Sequence, residues 1–359
     1  MNINMKGREI WIDYLKAIAI FLVVFNHLVG YQYAEFFSST YNIFHIGIVG
    51  HIPIFWFCSG YLYKKIDVKT SIKKYFRRLI IPYLFFNFIG IFMGIILKHW
   101  KDFHIIIFSQ RVFHFLFDPK VLFGIFFLKP TNRNAYMNSP TWFLVSLFVI
   151  LVMFAILNKY LKDDKQLGIA ILGLQVLNFI LVTINAPSYF TINASMLGLC
   201  FFYVGYMFKK KNWKSYFEGK KHYFRNFKLM IILAFITIVL FFNQYHFWFF
   251  GGKYFNNVIL SYVCAFSFMF FFVILTLMIK KQSKLILLIS MNTIVIMGFD
   301  QYFRGYSKLI FKLTGIYPHM NIFIIFINAC VIVLISTLIG MLLTRYVPVL
   351  VGQSKPKSK

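Results

Sequence analysis

Asp13, Lys16, Asn26 and His27 are polar or ionisable residues set in one otherwise apolar stretch near the start of the chain. Ionisable groups inside a bilayer-spanning helix are costly, so each calls for a functional reason. Lys16 and His27 are eleven residues apart in the sequence. That is about three helical turns, which puts both on one face, about 16 Å apart along the axis. Asp13 lies one turn from Lys16, within pairing reach on a helix. An imidazole that titrates near physiological pH is a ready general base. Such a base takes the proton of a hydroxyl as the hydroxyl attacks an acyl carbonyl. A helix with a charge pair at one end of a face and a histidine at the other is expected to line a site.

The elements that must position this face follow from composition. The chain has 359 residues, 60% hydrophobic, 21% aromatic and only 13% charged, with a mean hydropathy of +0.72. Soluble domains carry about 25% charged residues. The apolar runs approach the length that spans a bilayer as a helix, and the short alternating segments of a β-barrel are absent. The expected fold is therefore an all-α polytopic membrane protein of about ten transmembrane helices, with both termini cytoplasmic. The expected spans are 10–30, 43–63, 78–98, 141–160, 166–184, 190–208, 228–247, 255–280, 284–304 and 320–345. Residues 1–345 are expected to form one transmembrane domain and 346–359 a basic cytoplasmic tail. Residues 99–140, interrupted by Arg111, His114, Asp118 and Pro119, are expected to be re-entrant or interfacial. The N-terminus does not read as a cleavable signal peptide, because charged residues precede a full-length span with no small-residue cleavage site.

The net charge of +28 sits in short segments between apolar runs, above all 64–78 and 209–228, while 31–42 and 185–189 have no Lys or Arg. That is the pattern of the positive-inside rule. No basic soluble domain exists to bind nucleic acid. Cys58, Cys200, Cys264 and Cys330 all lie in apolar runs without metal-ligand spacing or a disulfide framework, and read as packing residues. No internal repeat signals an inverted-repeat transporter.

Further motifs follow the first span in order. His51-Ile-Pro53-Ile-Phe55-Trp-Phe-Cys-Ser59-Gly60-Tyr61 is followed by Lys73-Lys74-Tyr-Phe-Arg77-Arg78-Leu-Ile-Ile-Pro82-Tyr83. Then come Pro140-Thr-Trp142-Phe143-Leu144, Phe202-Tyr203-Val-Gly205-Tyr206 and Met291-Asn292-Thr293. The ordered set resembles the acyltransferase-3 family of integral membrane acyltransferases, and most resembles its polysaccharide or sugar O-acetyltransferase branch without an appended extracellular domain. The resemblance covers nearly the whole chain. It implies transfer of an acetyl or similar acyl group from cytoplasmic acyl-CoA, acetyl-CoA in the simplest case, to a hydroxyl of a glycan acceptor, with no bound cofactor. It also implies that His27 is essential. Similar proteins typically carry arginine where this chain has Lys16, and often histidine where it has Asp300.

The catalytic candidates are therefore His27, Lys16 and Asp13. Coenzyme A carries phosphates, so Arg78, Arg77 and Lys74 are candidates for donor binding; the same cations also read as a topology signal facing anionic lipid. His51, Ser59, Asn26, Trp142 and Asp300 are candidate cavity-lining residues. Asn26, Ser59, Trp142 and Lys16 could donate to a tetrahedral oxyanion. His51 reads equally as a cavity residue or as a donor to the carbonyl that Pro53 leaves unpaired. Asp300, in an apolar run, must have a partner or a cavity. Direct transfer and transfer through a covalent intermediate both suit these residues. Two other functions compete: a saccharide exporter without acyl chemistry, and a membrane scaffold in which no single histidine matters.

Overall fold

α1 (Ile10–His27) is the axis on which the other helices assemble. The computed structural model describes residues 8–36, 43–98, 139–161, 163–186, 189–249, 252–254 and 256–353. α1 continues into a π-helical turn, Leu28–Gln32, and a 3-10 turn, Ala34–Phe36. A second 3-10 segment, Ile43–Val49, leads into α2 (His51–Tyr61). Pro53 falls in the first turn of α2, where a missing N–H breaks no intrahelical bond. α3 (Val68–Tyr75) is capped by the Asp67 side chain, which accepts from Thr70 N. It runs through a π-helical stretch, Phe76–Ile80, into α4 (Ile81–Lys98). Then follow α5 (Trp142–Tyr160), α6 (Asp164–Thr183), α7 (Ile192–Lys210), a single turn Lys214–Phe217, and α8 (Tyr223–Phe242). A two-stranded antiparallel hairpin pairs β1 (Phe247–Trp248) with β2 (Lys253–Tyr254). α9 (Val258–Leu277), α10 (Lys284–Met291), α11 (Thr293–Leu313) and α12 (Ile322–Tyr346) complete the bundle.

The expectation of about ten membrane-spanning helices does not hold. Among the described residues six helices are long and apolar enough to cross: α1 with its π turn, α5, α6, α8, α9 and α12. The pair α10–α11 makes a seventh only if both arms of its 77° bend are counted as one span. The reasons are local. The expected span 43–63 has only 11 α-helical residues, about 16 Å against a hydrocarbon core of about 30 Å. α7 is long enough, but Asn193, Ser195 and two terminal lysines lower its hydropathy. The segment 284–304 is broken at Asn292. A count of ten no longer supports placing both chain ends in the cytoplasm, although Glu9 meets Lys214 and Gly352 packs on the Arg78 backbone, so both ends of the described chain lie with the basic segments. The expected re-entrant or interfacial stretch lies outside the described residues apart from Ser139 and Pro140.

α1 packs on α2, α9, α10, α11 and α12, and its buried face includes Trp11, Leu15, Ile20 and Val24. α2 is buried at every residue except Ser59. It crosses α7 at two glycines: a Cβ on Gly60 would lie 1.9 Å from Phe202 O, and one on Gly205 would lie 2.1 Å from Phe57 O. Small residues allow this backbone-to-backbone approach, which packs helices closely in lipid. Aromatic rings fill the rest of the seam. Trp11 meets Tyr61 edge-on at 4.8 Å, and Phe57 meets Phe208 at 5.4 Å. α6 and α8 are peripheral and leave Leu172, Val176, Ile231 and Phe235 exposed, as helices facing lipid do.

Candidate active site

His27 ends α1 beside the middle of α11. Its Nδ1 is 2.7 Å from Oδ2 of Asp300. The Asp300 carboxylate is fully buried, while the His27 side chain keeps 22% of its surface exposed. The other carboxylate oxygen accepts from Arg304 Nε at 3.0 Å, one turn along α11. An ionised carboxylate in an apolar helix is retained where a charge and hydrogen bonds balance it, and Arg304 supplies the charge. The Asp300–Arg304 pair is neutral overall. With Asp300 accepting at Nδ1, the imidazole holds its proton there and its lone pair is on Nε2. That is the orienting role a buried carboxylate plays for a catalytic histidine.

Lys16 and Asp13 lie toward the other end of α1. Lys16 does not pair with Asp13: its Nζ donates to the Ser290 carbonyl at 2.8 Å. Asp13 accepts two bonds from Arg8, Nε at 3.1 Å and Nη2 at 2.6 Å, and one from the Ser290 hydroxyl at 2.7 Å. Ser290 thus joins the two, one through its backbone and one through its side chain. It closes α10 just before the bend. The face of α1 that carries Lys16 and His27 therefore looks onto a single broken helix, with Ser290 opposite Lys16 and Asp300 opposite His27.

A cavity of about 250 Å³ opens at the end of the bundle where the basic segments gather. Lys64, Lys74 and Arg78 stand at its mouth, and Lys16, Cys58 and Ser59 line it from α1 and α2. Phe143, Leu144 and Leu147 of α5 form an apolar wall, and Thr293 and Met297 of α11 close it on the side toward Asp300. Lys74 is held below the usual lysine range by partial burial and by its cationic neighbours Arg78 and Lys64. Gly352, in a positive-φ turn packed on the Arg78 backbone, also lines the cavity.

The remaining expected residues divide plainly. Arg77 is exposed and does not line the cavity. Ser59 lines it, with its hydroxyl bonded to Phe55 O. His51 is buried, with Nδ1 2.7 Å from Gly47 O, not the carbonyl that Pro53 leaves unpaired. Asn26 donates to Leu22 O and packs against Gly47, where a Cβ would lie 2.2 Å from its Nδ2. Asn26 and His51 thus meet the same 3-10 segment and brace it. Trp142 is buried at the start of α5, edge-on to Phe143. Sequence reasoning missed Arg304 and Ser290. The i,i+4 spacing of Asp300 and Arg304 was a usable signal; nothing local marked Ser290.

The helices define a multi-pass membrane protein with a histidine paired to a buried carboxylate near a basic-mouthed cavity. The chain belongs to the acyltransferase-3 family: the family model described as an acyltransferase domain matches residues 9–345. Neither a curated protein nor a solved structure matches the chain. It is accordingly a membrane acyltransferase.

Proposed function

We propose that this protein moves an acetyl or similar short acyl group from acyl-coenzyme A to a hydroxyl of a cell-surface or lipid-linked glycan, with His27 as general base. The observation that carries the reading is the His27–Asp300–Arg304 chain, set one turn of α11 beyond the inner wall of the basic-mouthed cavity. His27 Nε2 takes the proton of the acceptor hydroxyl as the oxygen attacks the thioester carbonyl. The tetrahedral intermediate collapses, the C–S bond breaks, and the imidazolium returns the proton to the coenzyme A thiolate. Asp300 holds the ring and stabilises its charged form during this cycle.

The donor enters from the basic end, which the positive-inside rule assigns to the cytoplasm. Lys64, Lys74 and Arg78 receive its phosphates, and the flexible pantetheine arm runs past Lys16 and Ser59 along the apolar wall. Lys16, about 16 Å from His27 along the axis, serves the arm or its phosphates and not the reacting carbonyl. Asp13 positions Lys16 through Ser290. The test is transfer of labelled acetyl from acetyl-CoA to cell-surface glycan in membranes carrying wild type or His27→Ala at equal abundance. Loss of glycan acetyl ester is expected. Full acetylation by the variant overturns the assignment.

A further inference from the structure

α11 does not end at the histidine. It continues for thirteen residues past Asp300 to Leu313, away from the basic mouth. On that extension Arg304, Lys308 and Lys312 follow Asp300 at four-residue spacing, each about 6 Å farther along and turned by about 40°. The positive-inside rule explains the lysines and arginines at the cavity mouth, and Asp300 accounts for Arg304, but the rule runs against Lys308 and Lys312 at the opposite end. They need another reason.

Their surroundings form a built surface. Lys308 Nζ donates to Gln32 O at 3.2 Å and faces Glu35 at 3.5 Å. Lys308 and Lys312 flank the Tyr317 ring at 5.2 and 5.0 Å from its centre, and the Tyr317 hydroxyl donates to Glu35. Tyr33 and Phe36 pack against the same ring. Asp300 answers Arg304 and Glu35 answers Lys308. Among the described residues no carboxylate lies within ion-pair distance of Lys312, which is exposed. Among the described residues the surface thus has one more cation than carboxylates, beside a half-buried aromatic ring, two to three turns from His27.

We propose that the acceptor carries a fixed negative charge, a phosphate ester or a carboxylate, on the sugar or linkage next to the one acylated, and that Lys312 and Lys308 hold it while Tyr317 meets a sugar face. This inference rests on the acyl-transfer reading. Its test uses three matched oligosaccharides with the full-length protein in detergent or liposomes: one neutral, one bearing a phosphodiester-linked glycerol, one bearing a uronate. Acetyl transfer from acetyl-CoA and equilibrium binding are both measured. At least one anionic acceptor is expected to have a KM about tenfold below the neutral one, the gap narrowing as salt rises. Lys312→Gln is expected to bring anionic and neutral acceptors to one KM, and Lys312→Glu to lift the anionic KM to or above the neutral one, while the acetyl-CoA KM stays put. The phosphate and uronate arms show which anion is read. Equal KM and equal binding of all three by wild type overturn the proposal. If no acceptor receives acetyl, the acyl-transfer reading fails, and the binding arm still decides the charge preference.

Discussion

His27 and Asp300 are separated by 273 residues, yet their side chains meet at 2.7 Å where α1 ends against the middle of α11. Oδ1 of the same carboxylate holds Arg304, so the imidazole faces an acid already matched by a cation. The contact fixes which ring nitrogen points away from the helix pair.

Asp300→Asn keeps the size of the side chain and removes its charge. The amide can present its NH2 to Nδ1 and favour the wrong tautomer, so the rate should fall by roughly 10²–10⁴, the range of general-base assistance. The donor KM should stay within about twofold of wild type. The check is steady-state acetyl transfer at matched membrane abundance. Arg304→Met is the companion variant. It leaves a buried carboxylate without its cation, a change of about 3–5 kcal/mol for a buried pair, and is expected to lower the thermal midpoint in detergent more than Asp300→Asn does.

The polar face of α1 was legible in the sequence because charges in an apolar run stand out. Lys16, Ser59, Lys74 and Arg78 were named from sequence and do share one cavity. The partners were not legible. Asp13 pairs with Arg8 instead of Lys16, since Ser290, far away in the chain, takes both Asp13 and Lys16. The number of spans was misread because hydropathy averages over windows. It registers the apolar content of α2 but not the turn that limits it to 11 α-helical residues, and it runs through Asn292 as though the helix there were straight.

Ser290→Ala removes the hydroxyl bond to Asp13 and leaves the carbonyl that holds Lys16. Loss of a hydrogen bond to a charged group should destabilise the protein by about 1.5–3 kcal/mol. Lys16→Met removes the ammonium and keeps the stem. It should raise the acyl-CoA KM with little loss of thermal stability. Comparing acyl-CoA kinetics with detergent melting for the two variants separates anchoring from catalysis. If Lys16→Met leaves KM unchanged, Lys16 has no part in donor binding.

Gly60→Ala and Gly205→Ala each set a methyl group within about 2 Å of a backbone atom on the facing helix. Neither carbonyl can swing aside as a side-chain tip could, so α2 and α7 must separate. Overpacking of this kind typically costs about 1–3 kcal/mol. Both variants should melt lower in detergent, and Gly60→Ala should also weaken donor binding, because Ser59 and Cys58 beside it line the cavity. Gly173→Ala, in the interior of α6 where nothing lies within contact distance, is the control and should melt at or slightly above wild type, since alanine favours the helix.

The mouth of the cavity gives a pH signature of definite sign. Burial, with Arg78 and Lys64 nearby, holds Lys74 below the usual lysine value, so its charge is lost earlier than an ordinary lysine's as pH rises. Donor phosphates stay anionic over that range. The acyl-CoA KM should therefore climb on the alkaline side before general unfolding begins, and Lys74→Met should abolish that limb while raising KM at neutral pH. Glu9 and Lys214 shift in the opposite sense to each other. Burial is the largest influence on the Glu9 carboxylate and works against it, but the bond and charge of Lys214, with the hydrogen bonds from Trp11 and Tyr61, together outweigh it and leave its pKa lowered. Burial likewise opposes the Lys214 charge, which Glu9 and Glu218 together overcome, leaving that pKa raised. The clamp's contribution is thus full between the two unfolded pKa values. It is lost as pH falls through the lowered Glu9 value or rises through the raised Lys214 value. Both groups are partly exposed, so the clamp is worth at most about 1 kcal/mol. Glu9→Gln should flatten the acid side of the melting profile by that amount and leave the alkaline limb of the acyl-CoA KM in place. A KM limb that vanished with Glu9→Gln instead of Lys74→Met would move the phosphate contact away from the cavity mouth.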